Sequence, residues 1–402
     1  MTEAVRVEGA HGFACGVCDG VEFTPFFRSR EWSGSGRYLE RPERSTAPVD
    51  IVLEACSACG LVRQAAGFEV KLDYFDIARG TAKQLPDYTN RIIGSLREFG
   101  VGPDDLVIEV GANDGTFLRA VRESGHRNLV GVEPSRALAS AAGSDGLNIF
   151  QGYFNGDAAV RLRDEHGQAA AVICRHTLEH VPNIRELTAA IASMLRPGGL
   201  SFIEVPDCDW VIPGLLAHEI WDEHLTYFRA GSLARLIGAT GLTPVRLDRL
   251  RFRDTRNLLC WSVRGAVPAG MTAIIAEDAT LPVELALYQQ RWDAFAARLR
   301  ARVALAPRPV VGIGASHIQL NFFNFTGLDD SIDLLVDDDP VKAGRYAPLA
   351  RPVQIQSTET LLATLRGGTI IRSAFPYPSW EDRICDALAP FGVDVIAPDA
   401  LK

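Results

Sequence analysis

The feature that most constrains the fold is the segment "LVIEVGANDGTFLRAV", residues 106–121. The apolar run 106–110 has the length of a buried strand, Gly111 permits a sharp turn, and residues 116–124 have helical character. A strand, a glycine-bearing turn and a helix in this order form the first unit of a doubly wound α/β domain. Apolar runs and helical segments continue to alternate downstream, so we predict such a domain in the middle of the chain.

The polar residues of this turn favour a cationic cofactor. Asn113 and Asp114 lie where a dinucleotide would need a bare helix N-terminus for its pyrophosphate, and Glu109 precedes the turn. S-adenosylmethionine carries an ammonium and a sulfonium group, and carboxylates suit both. Glu133 ends the next apolar run, about 20 residues after the turn, where it can accept both hydroxyls of a ribose. The alternative interpretation is a packing turn with solvated acids.

Two Cys-x-x-Cys pairs near the N-terminus predict a metal site. "CGVC" supplies Cys15 and Cys18, and "CSAC" supplies Cys56 and Cys59. Four thiolates in two such pairs can surround Zn²⁺ tetrahedrally, which leaves no open position for a substrate. We therefore predict a structural zinc that replaces missing core in a small N-terminal module. The alternative is two redox-active or incidental pairs.

The segment "EIWDEHLTYF", residues 219–228, combines carboxylates and aromatic rings with His224. Such a mixture fits neither a plain surface nor a plain core. Carboxylates beside an imidazole can orient it and raise its basicity, and aromatic rings can exclude water from a pocket. The alternative is a buried structural histidine. A metal pair with His218 is disfavoured, because a spacing of six residues does not return to the same helix face.

The sequence after about residue 245 predicts a second α/β unit. "DRLRFRDTRNLLCWSVRG" indicates one or two strands, and residues 275–305 indicate one long amphipathic helix. "RPVVGIGASHIQLNFF" repeats the order of strand, glycine-bearing turn and helix, and the next apolar run ends at Asp337. The predicted domains are a zinc-binding module (1–69), a cofactor domain (70–245) and a C-terminal substrate-binding α/β domain (246–402).

Charge and hydropathy exclude several classes of partner. The formal net charge of -9 disfavours nucleic acid, because phosphate binding needs a basic face. The N-terminal sequence lacks the apolar core of a signal peptide, and no apolar run is long enough to cross a membrane. We therefore expect a cytoplasmic protein that binds a small molecule, and its oligomeric state stays open.

Four successive motifs resemble those of class I methyltransferases that use S-adenosylmethionine. They are "VIEVGANDGTFL", "GVEPS", "ICRHTLEHV" and "LRPGGLSFIEVP". The flanking "CGVC…CSAC" and "GIGA…VDDDPVKAGRY", together with "DEHLTYF", are similar to one subgroup, the C-methyltransferases that act on nucleotide-linked keto sugars in antibiotic sugar biosynthesis. This resemblance covers nearly the whole chain. It implies a zinc-binding module, a central methyltransferase domain and a C-terminal Rossmann-like domain that helps to bind a nucleotide-linked substrate.

The resemblance also implies roles for individual residues. "DEHLTYF" resembles the family's Glu-His-x-x-Tyr-Phe motif, whose histidine is held to be the base. The predicted general base is therefore His224, with Glu223 and Tyr227 positioning the base or the substrate. Methylation of carbon next to a ketone requires such a base to remove a proton. The predicted cofactor-binding residues are Glu109, Gly111, Ala112, Asn113, Asp114, Glu133, Pro134, His176 and Glu179.

The sequence does not identify the acceptor of the methyl group. "GASHIQLN" replaces the lysine-bearing turn expected in the C-terminal domain of the family, with His317, Gln319 and Asn321 in its place. The first alternative is methylation of oxygen, nitrogen or carbon of a non-sugar natural-product intermediate on the same scaffold. The second is a non-catalytic, zinc-bearing ligand-binding or scaffold protein, which the cofactor motifs argue against.

Overall fold

The computed structural model divides into two compact units. It describes residues 5–6, 14–32, 38–42, 48–65, 69–70, 86–221, 223–252, 255–274, 283–373 and 378–401. Unit 1 comprises residues 1–24, 55–209 and 223–281, and unit 2 comprises residues 25–54, 210–222 and 282–402. These units are defined by packing, and the division of the sequence into three domains stays a prediction.

Strands and helices alternate along most of the chain. The strands are β1 Val5–Arg6, β2 Phe23–Trp32, β3 Pro48–Cys56, β4 Val62–Gln64, β5 Glu69–Val70, β6 Val107–Val110, β7 Leu129–Glu133, β8 Asn148–Gln151, β9 Ala169–Arg175, β10 Leu195–Pro206, β11 Thr226–Tyr227, β12 Thr243–Phe252, β13 Thr255–Val263, β14 Val310–Ile313, β15 Leu334–Val336, β16 Tyr346–Ala347, β17 Val353–Gln356, β18 Thr369–Ile371 and β19 Asp394–Ile396. The helices are α1 Pro86–Glu98, α2 Thr116–Glu123, α3 Arg136–Ser144, α4 Gly156–His166, α5 Ile184–Met194, α6 Cys208–Val211, α7 Ala230–Ala239, α8 Val283–Ala304, α9 His317–Thr326, α10 Thr358–Thr364 and α11 Pro378–Leu388.

Unit 1 is built on a seven-stranded sheet with the order β12–β13–β10–β9–β6–β7–β8. The five strands from β10 to β8 are parallel, whereas β13 is antiparallel to both β10 and β12. The direction of strand addition reverses between β6 and β9. The topological switch point therefore lies at the carboxyl ends of these two strands, which is where open α/β sheets bind their ligands.

The central strands are almost wholly apolar because helices cover both faces of the sheet. β9 has the sequence AAAVICR, and its first six residues are buried. Successive side chains point to opposite faces, so Val107 packs in one hydrophobic cluster and Ile108 in another. Continuous apolar runs of this kind are typical of parallel strands buried on both sides. The predicted doubly wound α/β core is confirmed.

The hairpin β12–β13 lies in the sheet of unit 1. Residues 257–263 of β13 pair with β10, so the hairpin extends the parallel sheet with two antiparallel strands. The predicted division after residue 245 would separate this hairpin from its sheet. Local sequence indicates strands there but does not say which sheet they join, because that choice depends on pairing with β10, about 60 residues earlier in the chain.

The Pro-Gly-Gly sequence differs from the expected turn. α5 ends at Met194 and β10 begins at Leu195, so residues 197–199 lie inside the strand. The pairing register with β9 shifts between Leu195 and Leu200, and Gly198 has a φ of 77°. The glycine therefore allows an irregularity that one continuous strand accommodates.

Outside the seven-stranded sheet, unit 1 contains the short strands β4 and β11. Within unit 1, β11 pairs antiparallel with β4, which begins three residues after Cys59. Gln64 adds two hydrogen bonds: its backbone N–H donates to the Leu225 carbonyl at 3.1 Å, and its Nε2 donates to the His224 carbonyl at 2.8 Å. The segment with the second cysteine pair thus fixes the backbone of the segment that carries His224.

Unit 2 contains a six-stranded sheet with the order β16–β17–β15–β14–β18–β19. Its strands are parallel except β16, which is antiparallel to β17. The glycine-bearing turn after β14 leads into α9, whose N-cap residue is Ser316. Asp337 follows β15 and accepts hydrogen bonds from the Ala315 N–H at 2.9 Å and from Lys342 Nζ at 3.0 Å. The strand, turn and helix predicted here are present.

In the part of the chain that the structure describes, no helix combines the length and the apolar composition needed to span a bilayer.

Candidate cofactor and acceptor site

A cavity of about 430 Å³ opens in unit 1 at the carboxyl ends of β6, β7, β8 and β9. It therefore lies at the switch point of the sheet. Residues from the turn after β6, from the ends of β7 and β8, and from the segment after β9 form its walls. They include Gly111, Asn113, Glu133, Pro134, Tyr153, Asn155, His176 and His180.

Gly111 forms part of the cavity wall, and a larger residue would not fit at this position. Its φ is 74°, in the left-handed region that favours glycine. A Cβ atom built on Gly111 would lie 2.2 Å from Thr177 Oγ1. Because Gly111 has no side chain, the segment after β9 can approach the turn after β6 closely.

Gly111→Ala is expected to weaken binding of S-adenosylmethionine by about 1–3 kcal/mol, because the backbone becomes strained and Thr177 is displaced. Isothermal titration calorimetry measures the change. Gly94→Ala is the matched control, because a Cβ at Gly94 in α1 meets nothing within 4 Å. An unchanged dissociation constant for folded Gly111→Ala would show that the turn does not contact the cofactor.

Glu133 is held rigidly at the edge of the cavity. Its side chain is buried, with Oε2 accepting the Asn113 N–H at 2.8 Å and Oε1 accepting the Ser135 N–H at 2.8 Å. Two ionised carboxylate oxygens together accept about four hydrogen bonds. Two backbone donors and a pair of ribose hydroxyls can therefore share this group, which fits the role that the sequence predicts for Glu133.

Four of the predicted cofactor residues are not among those that line the cavity: Glu109, Ala112, Asp114 and Glu179. Glu109 is buried 3.4 Å from the Arg175 guanidinium, and burial raises the pKa of Glu109 to about 7. Asp114 Oδ1 accepts the Thr116 N–H at 3.0 Å at the start of α2. Glu109 thus links β6 to the end of β9, and Asp114 supports the start of α2, while their direct contact with a cofactor stays a prediction.

The predicted catalytic residues cluster beside the cavity. The rings of His180 and His224 meet edge to face with centroids 4.7 Å apart, and the Tyr227 ring is 5.8 Å from His224. The Glu223 carbonyl lies 2.9 Å from His180 Nδ1 and accepts its N–H. One ring nitrogen of each histidine and a carboxylate oxygen of Glu179 lie within 4.8 Å of one another. His180, which lines the cavity, therefore connects it to His224.

The four predicted zinc ligands also come together in unit 1. The Sγ atoms of Cys15, Cys18, Cys56 and Cys59 lie within 4.8 Å of one another. Two pairs, Cys15–Cys59 and Cys18–Cys56, are 3.6 Å apart. This separation exceeds the disulfide bond of about 2.05 Å. It is close to the roughly 3.8 Å between sulfurs in a tetrahedron with Zn–S bonds of about 2.3 Å. The cluster therefore fits a zinc ion.

Several residues of this region were not predicted from the sequence. Tyr153 and Asn155 follow β8 and line the cavity, and the end of a parallel strand was the available signal. Glu204 is fully buried and accepts a hydrogen bond from Asn257 Nδ2 at 2.7 Å. A lone glutamate inside the apolar run "SFIEVP" signals such a buried carboxyl, but it does not identify the partner.

Comparisons with known proteins agree with this geometry. A family model described as a methyltransferase domain matches residues 78–247. The C-methyltransferase NovU of Streptomyces niveus is 30% identical over 201 residues, which are 49% of this chain and 47% of that protein. A ubiquinone biosynthesis O-methyltransferase of Shewanella pealeana is 35% identical over 101 residues, 24% of this chain and 41% of that protein. The chain thus spans less than half the length of each of these relatives.

Among solved structures, magnesium protoporphyrin IX methyltransferase from Synechocystis with bound S-adenosylmethionine is 15% identical, with a TM-score of 0.35 over 46% of this chain and 80% of that chain. A putative methyltransferase of Haloferax volcanii, solved in complex with the activator Trm112, is similar at 18% identity and a TM-score of 0.39, over 49% of this chain and 98% of that chain. The sheet order, the cavity at its switch point and the family match agree: residues 78–247 belong to a class I, S-adenosylmethionine-dependent methyltransferase domain.

Proposed function

We propose that the chain is a C-methyltransferase that removes a proton from the carbon next to a ketone and methylates that carbon. The observation that carries the proposal is the position of His224 in a cluster of acid–base groups beside the cavity. When bound, S-adenosylmethionine supplies an electrophilic methyl group. A ketone's α-carbon becomes nucleophilic only after it loses a proton, so a carbon acceptor needs a base and many oxygen acceptors do not.

The surrounding residues suit His224 for this role. Its backbone carbonyl accepts from Gln64 Nε2 at 2.8 Å, which fixes the residue that carries the ring. The side chain is 5% exposed, and His180 and Tyr227 pack against its ring. Exclusion of water strengthens the electrostatic interactions of an imidazole with a developing enolate. Glu223 contributes through its carbonyl, which orients His180.

We propose a nucleotide-linked keto sugar as the acceptor. The motifs of the chain resemble those of C-methyltransferases with such substrates, and one relative is named a C-methyltransferase. Unit 2 provides its own glycine-bearing turn, with Asp337 and Lys342 hydrogen-bonded to each other beside it. A carboxylate and an ammonium at such a turn suit the hydroxyls and phosphates of a nucleotide.

We propose that the cysteine cluster holds a structural zinc. All four ligands come from the protein, and β4 follows the second cysteine pair directly. A closed Cys₄ site contributes folding energy and leaves no position for a substrate. Its contribution to the reaction is therefore indirect, through the pairing of β4 with β11.

Deuterium exchange tests the proposed reaction. The protein is incubated in deuterated water with a panel of nucleotide-linked 4-keto sugars, with S-adenosylhomocysteine in place of the methyl donor. A C-methyltransferase exchanges the α-proton, and mass spectrometry detects the added deuterium. No exchange here, together with methylation of an oxygen or nitrogen in a parallel incubation with S-adenosylmethionine, would instead favour the alternative with an oxygen or nitrogen acceptor; the ubiquinone biosynthesis relative is named an O-methyltransferase.

Glu133→Ala is expected to weaken binding of S-adenosylmethionine by about 1–3 kcal/mol, because charge-assisted hydrogen bonds to the ribose are lost. Calorimetry measures the dissociation constant. Glu123→Ala, at an exposed position at the end of α2, is the control and should bind normally. If wild-type protein binds no S-adenosylmethionine, the methyltransferase proposal fails as a whole.

A further inference from the structure

His176 presents an imidazole to the cavity from a strained backbone. It directly follows β9, its φ is 46°, and its side chain is 48% exposed where it lines the cavity. A left-handed conformation is uncommon for a residue other than glycine and is typical of functional sites. The His176 N–H donates to the Glu204 carbonyl at 3.0 Å, which keeps the residue in this conformation.

Each ring nitrogen of His176 faces a buried carboxyl group. Nε2 lies 3.3 Å from Glu204 Oε1, and Nδ1 lies 3.5 Å from Glu179 Oε1. Both glutamates are at least 99% buried. Among the described residues, neither oxygen of Glu179 has a hydrogen-bond partner. A buried carboxyl group in this position favours a proton on Nδ1, the nitrogen that faces it.

Nε2 of His176 has closer polar neighbours than Nδ1. Asn257 Nδ2 donates to Glu204 Oε1 at 2.7 Å and lies 3.3 Å from Nε2 of His176, so these three polar atoms form a compact triangle. The hydroxyl of Tyr88, in α1, donates to the other oxygen of Glu204. Nε2 is thus enclosed by protein groups, and Nδ1 is the nitrogen with the looser contact.

Burial favours the protonated form of Glu204, although hydrogen-bond donors beside its carboxyl oppose it. The polar groups that face its carboxyl are Tyr88 from α1, Asn257 from β13 and His176 after β9. Arg175, its register partner on β9, has its guanidinium 3.4 Å from Glu109. Burial raises the pKa of Glu204 to about 8. At neutral pH this carboxyl therefore retains its proton.

We propose that His176, which the sequence predicts as a cofactor residue, is instead a catalytic acid that acts on the acceptor, and that Glu204 is its positioning residue, which resupplies the proton through Nε2. The inference rests on the proposed function, because only a carbon acceptor passes through an enol. It assigns a proton donor to the carbonyl oxygen, so that removal of the α-proton by His224 gives a neutral enol in place of an enolate.

The protons and electrons of this step balance. His224 takes the α-proton, and the electron pair of the broken C–H bond forms the C=C bond of the enol. The π pair of the carbonyl takes the proton from His176 Nδ1, and the Glu204 proton moves to Nε2. When the carbon is methylated, the enol proton returns to Nδ1 and the Nε2 proton returns to Glu204. Tyr88 and Asn257 stabilise the glutamate while it is ionised.

The pH profile of α-proton exchange tests the proposed roles of His176 and Glu204. Wild-type exchange should fall as pH rises through about 8, where Glu204 loses its proton. Glu204→Gln keeps the shape of the side chain but cannot transfer a proton, so exchange at pH 7 should fall about 10²-fold. The decline near pH 8 should also disappear in this variant. Tyr88→Phe removes a donor that stabilises the carboxylate, so the decline should move to higher pH.

The matched control is His166→Asn, because His166 ends α4 and interacts with the exposed Glu165. It should leave the rate and the pH profile unchanged. If Glu204→Gln retains the wild-type pH profile, whatever its rate, Glu204 has a structural role and the inference is wrong. Calorimetry with S-adenosylmethionine, which should bind Glu204→Gln normally, excludes a folding defect.

Infrared spectroscopy provides a measurement that needs no acceptor. The wild-type protein should show the carbonyl band of a protonated buried carboxyl group that Glu204→Gln lacks, and the band should disappear as pH rises through about 8. Its absence at pH 7 would refute the protonated Glu204. If the band is present but the protein exchanges the α-proton of no keto acceptor, the proposed function is contradicted and the protonated Glu204 is not. The two failures are therefore distinguishable.

Discussion

His224→Gln is expected to lower turnover about 10²–10⁴-fold, the usual contribution of one general acid–base group. Glutamine is polar and neutral and keeps a side chain of similar reach, but it cannot accept the α-proton. The backbone of this position should stay in place, because Gln64 holds its carbonyl at 2.8 Å. Steady-state methyl transfer and deuterium exchange should fall together, since both require the same proton removal.

The cofactor provides the control for this variant. His224 is not among the residues that line the cavity, so the dissociation constant of S-adenosylmethionine should change little. A purely structural histidine predicts the opposite pattern, with lower stability and weaker cofactor binding accompanying the loss of activity. Near wild-type turnover in a folded variant would eliminate His224 as the base. Tyr227, whose ring lies 5.8 Å away, would then be the next candidate.

Cys56→Ser is expected to release the zinc and unfold the N-terminal module. Structural zinc contributes on the order of 10 kcal/mol to the folding of small zinc modules, so loss of one ligand has a large effect. Elemental analysis of freshly purified protein should give one zinc per wild-type chain and less in the variant. Cys385→Ser is the control, because Cys385 lies on α11 in unit 2, outside the cluster.

The same variant should impair the reaction more than cofactor binding. β4 pairs with β11 through Val62 and Tyr227, so disorder in the cysteine segment removes the strand that supports the His224 segment. Hydrogen exchange should show lost protection at both strands, with the cavity still able to bind S-adenosylmethionine. Absence of zinc from the wild-type protein, or normal stability of Cys56→Ser, would refute the structural zinc.

The sequence by itself determined the features that depend on neighbours in the chain. Apolar runs of strand length predicted β6, β7 and β9, because burial on both faces of a sheet leaves a local signature. Gly111 marked the turn and Glu133 the end of the second strand, and both line the cavity. The spacing of the cysteines predicted a cluster that the structure brings together.

Only the tertiary structure decided which distant groups share a site. Gln64 and His224 are 160 residues apart in the chain, and Tyr88 and Glu204 are 116 residues apart, yet each pair is hydrogen-bonded. The sequence shows that Glu109 is acidic, but only the structure shows that it is buried beside Arg175 and links β6 to β9. Side-chain type and spacing predict what a residue can do, whereas its partners and its burial depend on strand pairing between remote segments, which local sequence does not specify.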